Sequence, residues 1–259
     1  MIDPQRISSA QNPLLVKLRR LVGDGGAYRK LGSLWLEGDH LCQAAAERGL
    51  AVEHALYSEA GWQRPELRRL GQHASRVAVL PDALWRGISS LATPAAMGFV
   101  LAAPAVPALR PAAPSVVLDR LQDAGNVGSI LRSAAALGVL QVLALEGTVA
   151  LWSPKVLRAA MGAHFGLVLL EGLAPAVLDE LQLPLLATSS HAEAALGAQP
   201  LPQPAAWVFG HEGQGVAAPV LQRCAMTLRI PQPGGQESLN VAAAAAICLY
   251  ESSRESRSA

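Results

Sequence analysis

Residues 116–145 read VVLDRLQDAGNVGSILRSAAALGVLQVLAL, a strand, a loop, a helix and a second strand. Val116–Leu118 and Val142–Leu145 are short, uninterrupted apolar runs, the pattern of strands buried on both faces. Between them Val127, Ile130, Leu131, Ala134 and Leu137 share one arc at about 100° per residue, so a helix starting near Asn126 can cover the strands. Asn126, Ser129, Arg132 and Ser133 fall on the adjoining polar arc. The pattern continues toward the C-terminus, with apolar runs at Leu167–Leu170, Leu185–Ala187, Trp207–Phe209 and Met226–Ile230. Helix-like segments begin near Pro154, Pro175, Ala192, Val216 and Ser238, and the last residues, SSRESRSA, read as a frayed tail. Alternation of this kind predicts an α/β domain on a parallel sheet, whose ligands bind at the carboxyl ends of the strands.

Upstream, LAAPAVPALRPAAP (Leu101–Pro114) places Pro104, Pro107, Pro111 and Pro114 among alanines. It cannot sustain a helix or a central strand and reads as an extended linker. The expected organisation is a first domain over residues 1–103, a Pro/Ala-rich linker over 104–114 and a second domain over 115–252. The first domain opens at Asn12-Pro13 with Leu14, Leu15, Leu18 and Leu21 at helical spacing. Apolar runs at Leu34–Leu36, His54–Tyr57, Val77–Leu80 and Met97–Leu101 predict a small α/β sandwich.

Bulk properties exclude several classes. The chain has 259 residues, 51% hydrophobic and 16% charged, which is incompatible with global disorder. It has neither an apolar run of membrane-spanning length nor, in MIDPQRISSAQNP, the apolar core of a secretory signal. Cys42, Cys224 and Cys248 are scattered, so neither a disulfide framework nor a metal site is expected, and the expected setting is the reducing cytoplasm. Net charge is +1, yet Arg6, Lys17, Arg19, Arg20, Arg29 and Lys30 crowd the first thirty residues. They read either as a solvated helix face or as a patch that neutralises phosphates.

Polar residues of the second domain gather in three loops. Asp119–Arg132 leaves a strand, turns at Gly125 and enters the helix at Asn126; alone it could be a capped helix with a surface arginine. FGHEGQGV (Phe209–Val216) permits close backbone approach but is neither a dinucleotide fingerprint nor a nucleoside-triphosphate loop. A tight structural turn would also explain it, although Glu212 between glycines is less expected there. IPQPGGQESLNVAAAAAICLYE (Ile230–Glu251) runs from a Pro/Gly loop into a helix, with Ser238 a candidate N-cap and Asn240 in its first turn.

In this order and spacing the three segments resemble the motifs of the SpoU (TrmH-like) RNA 2′-O-ribose methyltransferases of the SPOUT superfamily. Asp119, Asp123, Asn126, Gly128 and Arg132 match the first motif, Phe209, Gly210, Glu212 and Gly215 the second, and Ile230, Pro231, Ser238, Leu239, Asn240 and Val241 the third. NPLLVKLRRL, AYRKLGSLWLEGDHL and SSLATPAAMGFV resemble the family's substrate-binding domain. The chain departs from the pattern at Ala124, where proline is usual, and at Ala160 and Ala242, where serine is frequent.

The resemblance implies a deep trefoil knot in the second domain, an L30e-like RNA-holding fold in the first, and a homodimer. It implies S-adenosylmethionine as cofactor, no metal, and structured RNA as substrate, ribosomal rather than transfer RNA. Gly210, Ile230 and Leu239 would contact the cofactor through their backbones, with Thr188 and Gly215 beside them. The chemistry would fall to Arg132, Asn126, Glu212, Ser238 and Asn240, and RNA contact to Arg20, Arg29, Lys30 and Arg158. The family proposal makes the Arg132 position a general base; a guanidinium that stays protonated is better suited to clamping phosphate and steadying an alkoxide. A transfer-RNA substrate, or a non-catalytic RNA-binding or ribosome-assembly factor on the same fold, are the other readings.

Overall fold

The structure is a computed structural model, and it describes residues 3–234 and 238–255. Two compact units emerge: Met1–Ala105 with Trp152–Phe165, and Val106–Leu151 with Gly166–Ala259.

The first unit runs β1 (Gln5–Arg6), α1 (Pro13–Gly23), α2 (Ala27–Leu31), β2 (Ser33–Glu37), α3 (Asp39–Glu47), β3 (Val52–Ser58), α4 (Glu59–Trp62), α5 (Pro65–Leu70), β4 (Ala74–Leu80), α6 (Asp82–Arg86) and β5 (Met97–Ala102). The start of α1 follows from local chemistry: the Asn12 side chain accepts the Leu14 N–H at 2.9 Å, and Pro13 takes the first helical position, where its missing donor costs nothing. Leu15, Leu18 and Leu21 are buried, as their spacing predicts. The sheet order is β1-β4-β3-β5-β2, with β5 antiparallel to both neighbours and the remaining pairs parallel.

The second unit carries β6 (Ser115–Asp119), α7 (Ala124–Ala136) and β7 (Gln141–Leu145). The chain then contributes α8 (Pro154–Ala160) to the first unit, against β2, and returns as β8 (Val168–Leu173). There follow β9 (Leu185–Thr188), β10 (Ala206–Gly210), α9 (Ala218–Leu221), β11 (Met226–Leu228) and α10 (Val241–Glu255). The six-stranded sheet has the order β11-β9-β10-β6-β7-β8, and every pairing in it is parallel. One face holds Val117, Leu143, Leu145, Ala206 and Val208 over Leu178, Leu183 and Val220. On β6 and β10 the alternate residues Val116, Leu118, Trp207 and Phe209 are also buried, and α10 lies against α7 and β10. Burial on both faces is why these strands read as continuous apolar runs.

The helices differ from expectation in instructive places. No helix begins at Ala192: the described residues 189–205 are irregular, because Gly197, Pro200, Pro202 and Pro204 break helical hydrogen bonding. The backbone there finds other partners, Arg229 N donating to Ala194 O at 2.9 Å and Leu196 N to Arg229 O at 2.9 Å. Pro175–Glu180 is a 3₁₀ turn, and the helix after Val216 has only four residues. The final helix starts at Val241, not Ser238, and continues through Glu255, so residues 252–255 are helix rather than tail. Residues 256–259 of the expected tail and 235–237 of the Pro/Gly loop lie outside the described residues. The linker is extended and tied to the sheet by buried Gln141, which accepts Arg110 N at 3.0 Å and donates to Arg110 O at 2.8 Å. Among the described residues no helix is long and apolar enough to cross a membrane.

The helical extension has a role. Ser252 Oγ accepts the indole N–H of buried Trp207 at 2.8 Å, and Ser252 O accepts Gln203 Nε2 at 3.2 Å, fastening α10 to the strand below it. Ser252→Ala would leave that indole donor unpaired. We expect a loss of about 1–3 kcal/mol in urea unfolding; an unchanged midpoint would show that α10 is held by apolar packing alone.

Candidate active site at the sheet switch point

The order of the parallel sheet reverses direction between β6 and β10, whose last residues, Asp119 and Gly210, are paired in register. Strand ends at such a reversal open a crevice. Loops one and two leave from these ends, and loop three follows β11, the edge strand beside β9.

The first two loops are bolted together by charge. Asp119 is buried and accepts Arg120 Nε at 3.0 Å, Arg120 Nη2 at 3.2 Å and the Ala217 N–H at 2.6 Å. Arg120 reaches onward, donating to Gln214 Oε1 at 2.9 Å and Gly215 O at 3.3 Å. Its backbone sits at φ 59°, a left-handed conformation that costs a non-glycine residue about 1–3 kcal/mol and persists where contacts over-determine it. Those four side-chain hydrogen bonds supply the over-determination.

The second loop folds onto the end of its own strand. A Cβ at Gly210 would lie 2.2 Å from Gly215 C and from Val216 N, so only glycine permits the return. Gly215 adopts φ 69° and donates to His211 O at 2.8 Å, while His211 Nδ1 accepts the Gly213 N–H at 3.0 Å. This turn presents Glu212 to the first loop. Glu212 Oε1 accepts Asp123 N at 3.2 Å and Asn126 Nδ2 at 3.2 Å, and Oε2 accepts Gln122 N at 3.4 Å. Partial burial pushes the carboxyl pKa up, but these hydrogen bonds and one to its own backbone outweigh it, holding the group below its ordinary value.

The third loop joins through an amide relay. Asn126 Oδ1 accepts Asn240 Nδ2 at 2.9 Å. Asn240 Oδ1 in turn accepts Ala242 N at 2.9 Å and Ala243 N at 3.3 Å, so Asn240 is the cap of α10. Each amide orientation is dictated from an end: an ionised carboxylate only accepts and a helix N-terminus only donates, so both asparagines must point one way between them. Asp123 caps α7 by accepting Asn126 N at 2.7 Å and so sets the first amide at the start of that helix.

The structure therefore brings together Asn126, Glu212 and Asn240. Arg132 lies six residues further along α7, roughly 9 Å by helical rise, exposed and with no side-chain hydrogen bond or ion pair among the described residues. The Asn126 side chain is directed to Glu212 and Asn240, and no hydrogen bond joins it to Arg132 among the described residues. Ser238 is exposed, and the cap of α10 is Asn240 instead. Thr188 ends β9 opposite Leu228, Ile230 is half-buried, and Leu239 stands 39% exposed beside Asn240. Gln232 Oε1 in the third loop is buried with no partner among the described residues. In the first unit Arg20, Arg29 and Lys30 are exposed, Arg29 lying 5.1 Å from the Tyr28 ring centroid. Arg158 instead turns Nη1 to 3.7 Å from the Glu37 carboxylate, whose side chain is 1% exposed and also accepts the Ser89 hydroxyl. Arg120 and Gln122 had no part in the sequence reading. The one signal for Arg120 was an Asp-Arg pair at a strand end, and for Gln122, whose Nε2 donates to Gly147 O, there was none.

The carboxylate gives a pH test. A folded pKa below the unfolded value means stabilisation fully present above the unfolded pKa of about 4.3 and lost as pH falls through the lower folded value. The stability gap between the wild type and Glu212→Gln should therefore be widest near neutrality and close in acid, as read by denaturant unfolding across pH. A gap that stays constant would show that the charge on Glu212 does not hold the loops.

Comparison with known proteins places this geometry. The SpoU rRNA methylase family model matches residues 113–250. An uncharacterized tRNA/rRNA methyltransferase of Synechocystis is 36% identical, over 98% of this chain and 95% of its own length. The 23S rRNA (guanosine(2553)-2′-O)-methyltransferase RlmP of Bacillus subtilis is 29% identical, over 85% of this chain and 88% of its own. The crystal structure of the SpoU methyltransferase AviRb from Streptomyces viridochromogenes, in complex with the cofactor AdoMet, superimposes with a TM-score of 0.85 at 26% identity, covering 96% of this chain and 99% of that one. The matched region contains all three loops and the relay that joins them, and the chain belongs to the SpoU rRNA methylase family.

Proposed function

We propose that this protein transfers a methyl group from S-adenosylmethionine to a ribose 2′-hydroxyl of large-subunit ribosomal RNA. The observation that carries the reading is the hydrogen-bonded relay from Glu212 through Asn126 to Asn240 at the switch point, with Arg132 uncommitted further along the same helix. Family membership supports it, as do the 23S rRNA activity named for the Bacillus relative and the AdoMet bound by the Streptomyces structure.

The residues present fit the cofactor. Its cradle would be the backbones of Gly210, Ile230 and Leu239, beside Thr188 and Gly215. Leu239 offers an exposed apolar side chain and Gln232 an unpartnered buried acceptor, suited to an adenosine with amino donors. When bound, S-adenosylmethionine supplies an electrophilic methyl group. The protein's own contribution is to hold the attacking ribose oxygen in line, and orientation of this kind can account for about 7–11 kcal/mol of a barrier. Arg132 stays protonated and serves as a donor: it clamps the phosphate of the target nucleotide and steadies the developing alkoxide. The hydroxyl proton leaves through that phosphate or solvent. Glu212, Asn126 and Asn240 keep the pocket wall in register, and Ser238, exposed beside Leu239, is free to face the ribose.

In the same reading the first unit is an L30e-like RNA holder, using Arg20, Arg29 and Lys30 and the exposed 22% of the Arg158 side chain. The C-terminal segment threads as a trefoil knot, supported by the return of α10 onto α7 and β10. A cytoplasmic homodimer is the working form; Ile247 and Tyr250, exposed on one face of α10, offer an apolar surface for it.

Two measurements test this. Ribose methylation mapped across cellular RNA with and without the protein should lose one site in large-subunit ribosomal RNA. Loss in transfer RNA would move the substrate, and no change anywhere would contradict the activity. Arg132→Ala should lower single-turnover methyl transfer by about 10²–10³-fold with cofactor affinity intact, whereas a normal rate at saturating RNA would remove Arg132 from the chemistry.

A further inference from the structure

The first unit contains a cavity of about 250 Å³ between α4, α5 and β4, outside every residue assigned above. Its walls include Trp62, Arg68, Arg69, Gln72 and Val77. The Trp62 indole is fixed from behind by an edge contact with buried Tyr57, centroids 5.3 Å apart at 66°, and Tyr57 is itself tied through its hydroxyl to Leu67 O at 3.1 Å. The Arg68 guanidinium lies 5.6 Å from the Trp62 ring centroid, so aromatic and cationic groups share one wall. Arg69 and Gln72 stand exposed at the cavity. Arg68 and Arg69 make no ion pair among the described residues, since the neighbouring Glu66 is engaged by Arg64 at 2.9 Å.

We propose that this cavity receives one unpaired nucleotide of the RNA, an inference that rests on the reading of RNA as substrate. A volume of about 250 Å³, below the roughly 300–1,000 Å³ of sites that bury whole drug-sized molecules, suits the base of that nucleotide, with its ribose and phosphate at the mouth. Chemistry decides for a nucleotide. A base stacks on an indole or a guanidinium plane, here the Trp62–Arg68 wall, Gln72 offers both a donor and an acceptor to a base edge, and the exposed Arg69 meets the phosphate. Such a pocket selects RNA with a splayed-out base over continuous duplex, a selection distinct from the methyl-transfer site in the second unit.

The test uses the full chain and bacterial total RNA labelled with 4-thiouridine. Photocrosslinks mapped by mass spectrometry should fall within residues 62–77. Arg69→Glu, at an exposed position, should weaken RNA binding by about tenfold in filter assays, with melting temperature and calorimetric S-adenosylmethionine binding unchanged. Trp62→Phe, which keeps an aromatic wall, should retain most of the binding lost in Trp62→Ala. Crosslinks confined to residues 17–31, or unchanged binding by Arg69→Glu, would overturn the pocket while leaving the methyltransferase reading intact. Wild-type protein that binds no RNA would overturn both.

Discussion

Asn126 carries one donor and one acceptor group on its side-chain amide, and each is engaged by a different loop: Glu212 takes the donor and Asn240 fills the acceptor. Few other side chains could do this. A carboxylate in its place would face Glu212 with like charge, an alanine would release both loops, and a hydroxyl is too short to span them. The relay ends on Asn240, whose second amide atom caps α10, so the last helix is docked by the same hydrogen bonds that shape the pocket. The Asp119–Arg120 clamp does the equivalent for the back of the second loop, holding Gln214 and Gly215 while Glu212 faces forward.

This arrangement separates the residues that hold the loops together from Arg132, the residue proposed to meet the substrate. Asn126, Glu212 and Asn240 are hydrogen-bonded in series, Glu212 to Asn126 and Asn126 to Asn240. Arg132, on the same helix, is exposed and has no side-chain hydrogen bond or ion pair among the described residues. A guanidinium with no internal partner is suited to recognising phosphate bidentately, and it needs no proton abstraction to contribute. Asn126 and Arg132 were both expected among the residues of the chemistry. The geometry shows Asn126 orienting loops, and Arg132 takes its direction from α7, whose start is set by the Asp123 cap.

Much of the architecture was legible because burial on two faces leaves an unmistakable trace. Every apolar run of the second unit lies in or overlaps a strand, and in the first unit Asn12-Pro13 marked the start of α1. Misreadings came where backbone partners are non-local. Nothing near Ala192 announces that Arg229 will accept and donate there, and nothing at Ser252 announces Trp207. The placing of α8 with the first unit is likewise invisible to periodicity, since a helix looks alike whichever sheet it covers. At the site, the motif residues were readable by type and spacing. The partner of each was not, because the spacing from 126 to 212 to 240 fixes no direction for a side chain. Arg120 was overlooked because a positive φ at a non-glycine residue has no sequence signature.

The central claim is that three loops are one hydrogen-bonded unit, and a double-mutant cycle reads it directly. Glu212→Ala and Asn240→Ala remove the two ends of the relay, each of which is hydrogen-bonded to Asn126. Denaturant unfolding of wild type, both single variants and the double variant should give a coupling energy above about 0.5 kcal/mol, as groups in one network do. Effects that add to within about 0.3 kcal/mol, as for independent sites, would contradict a shared relay and return the loops to separate local structures.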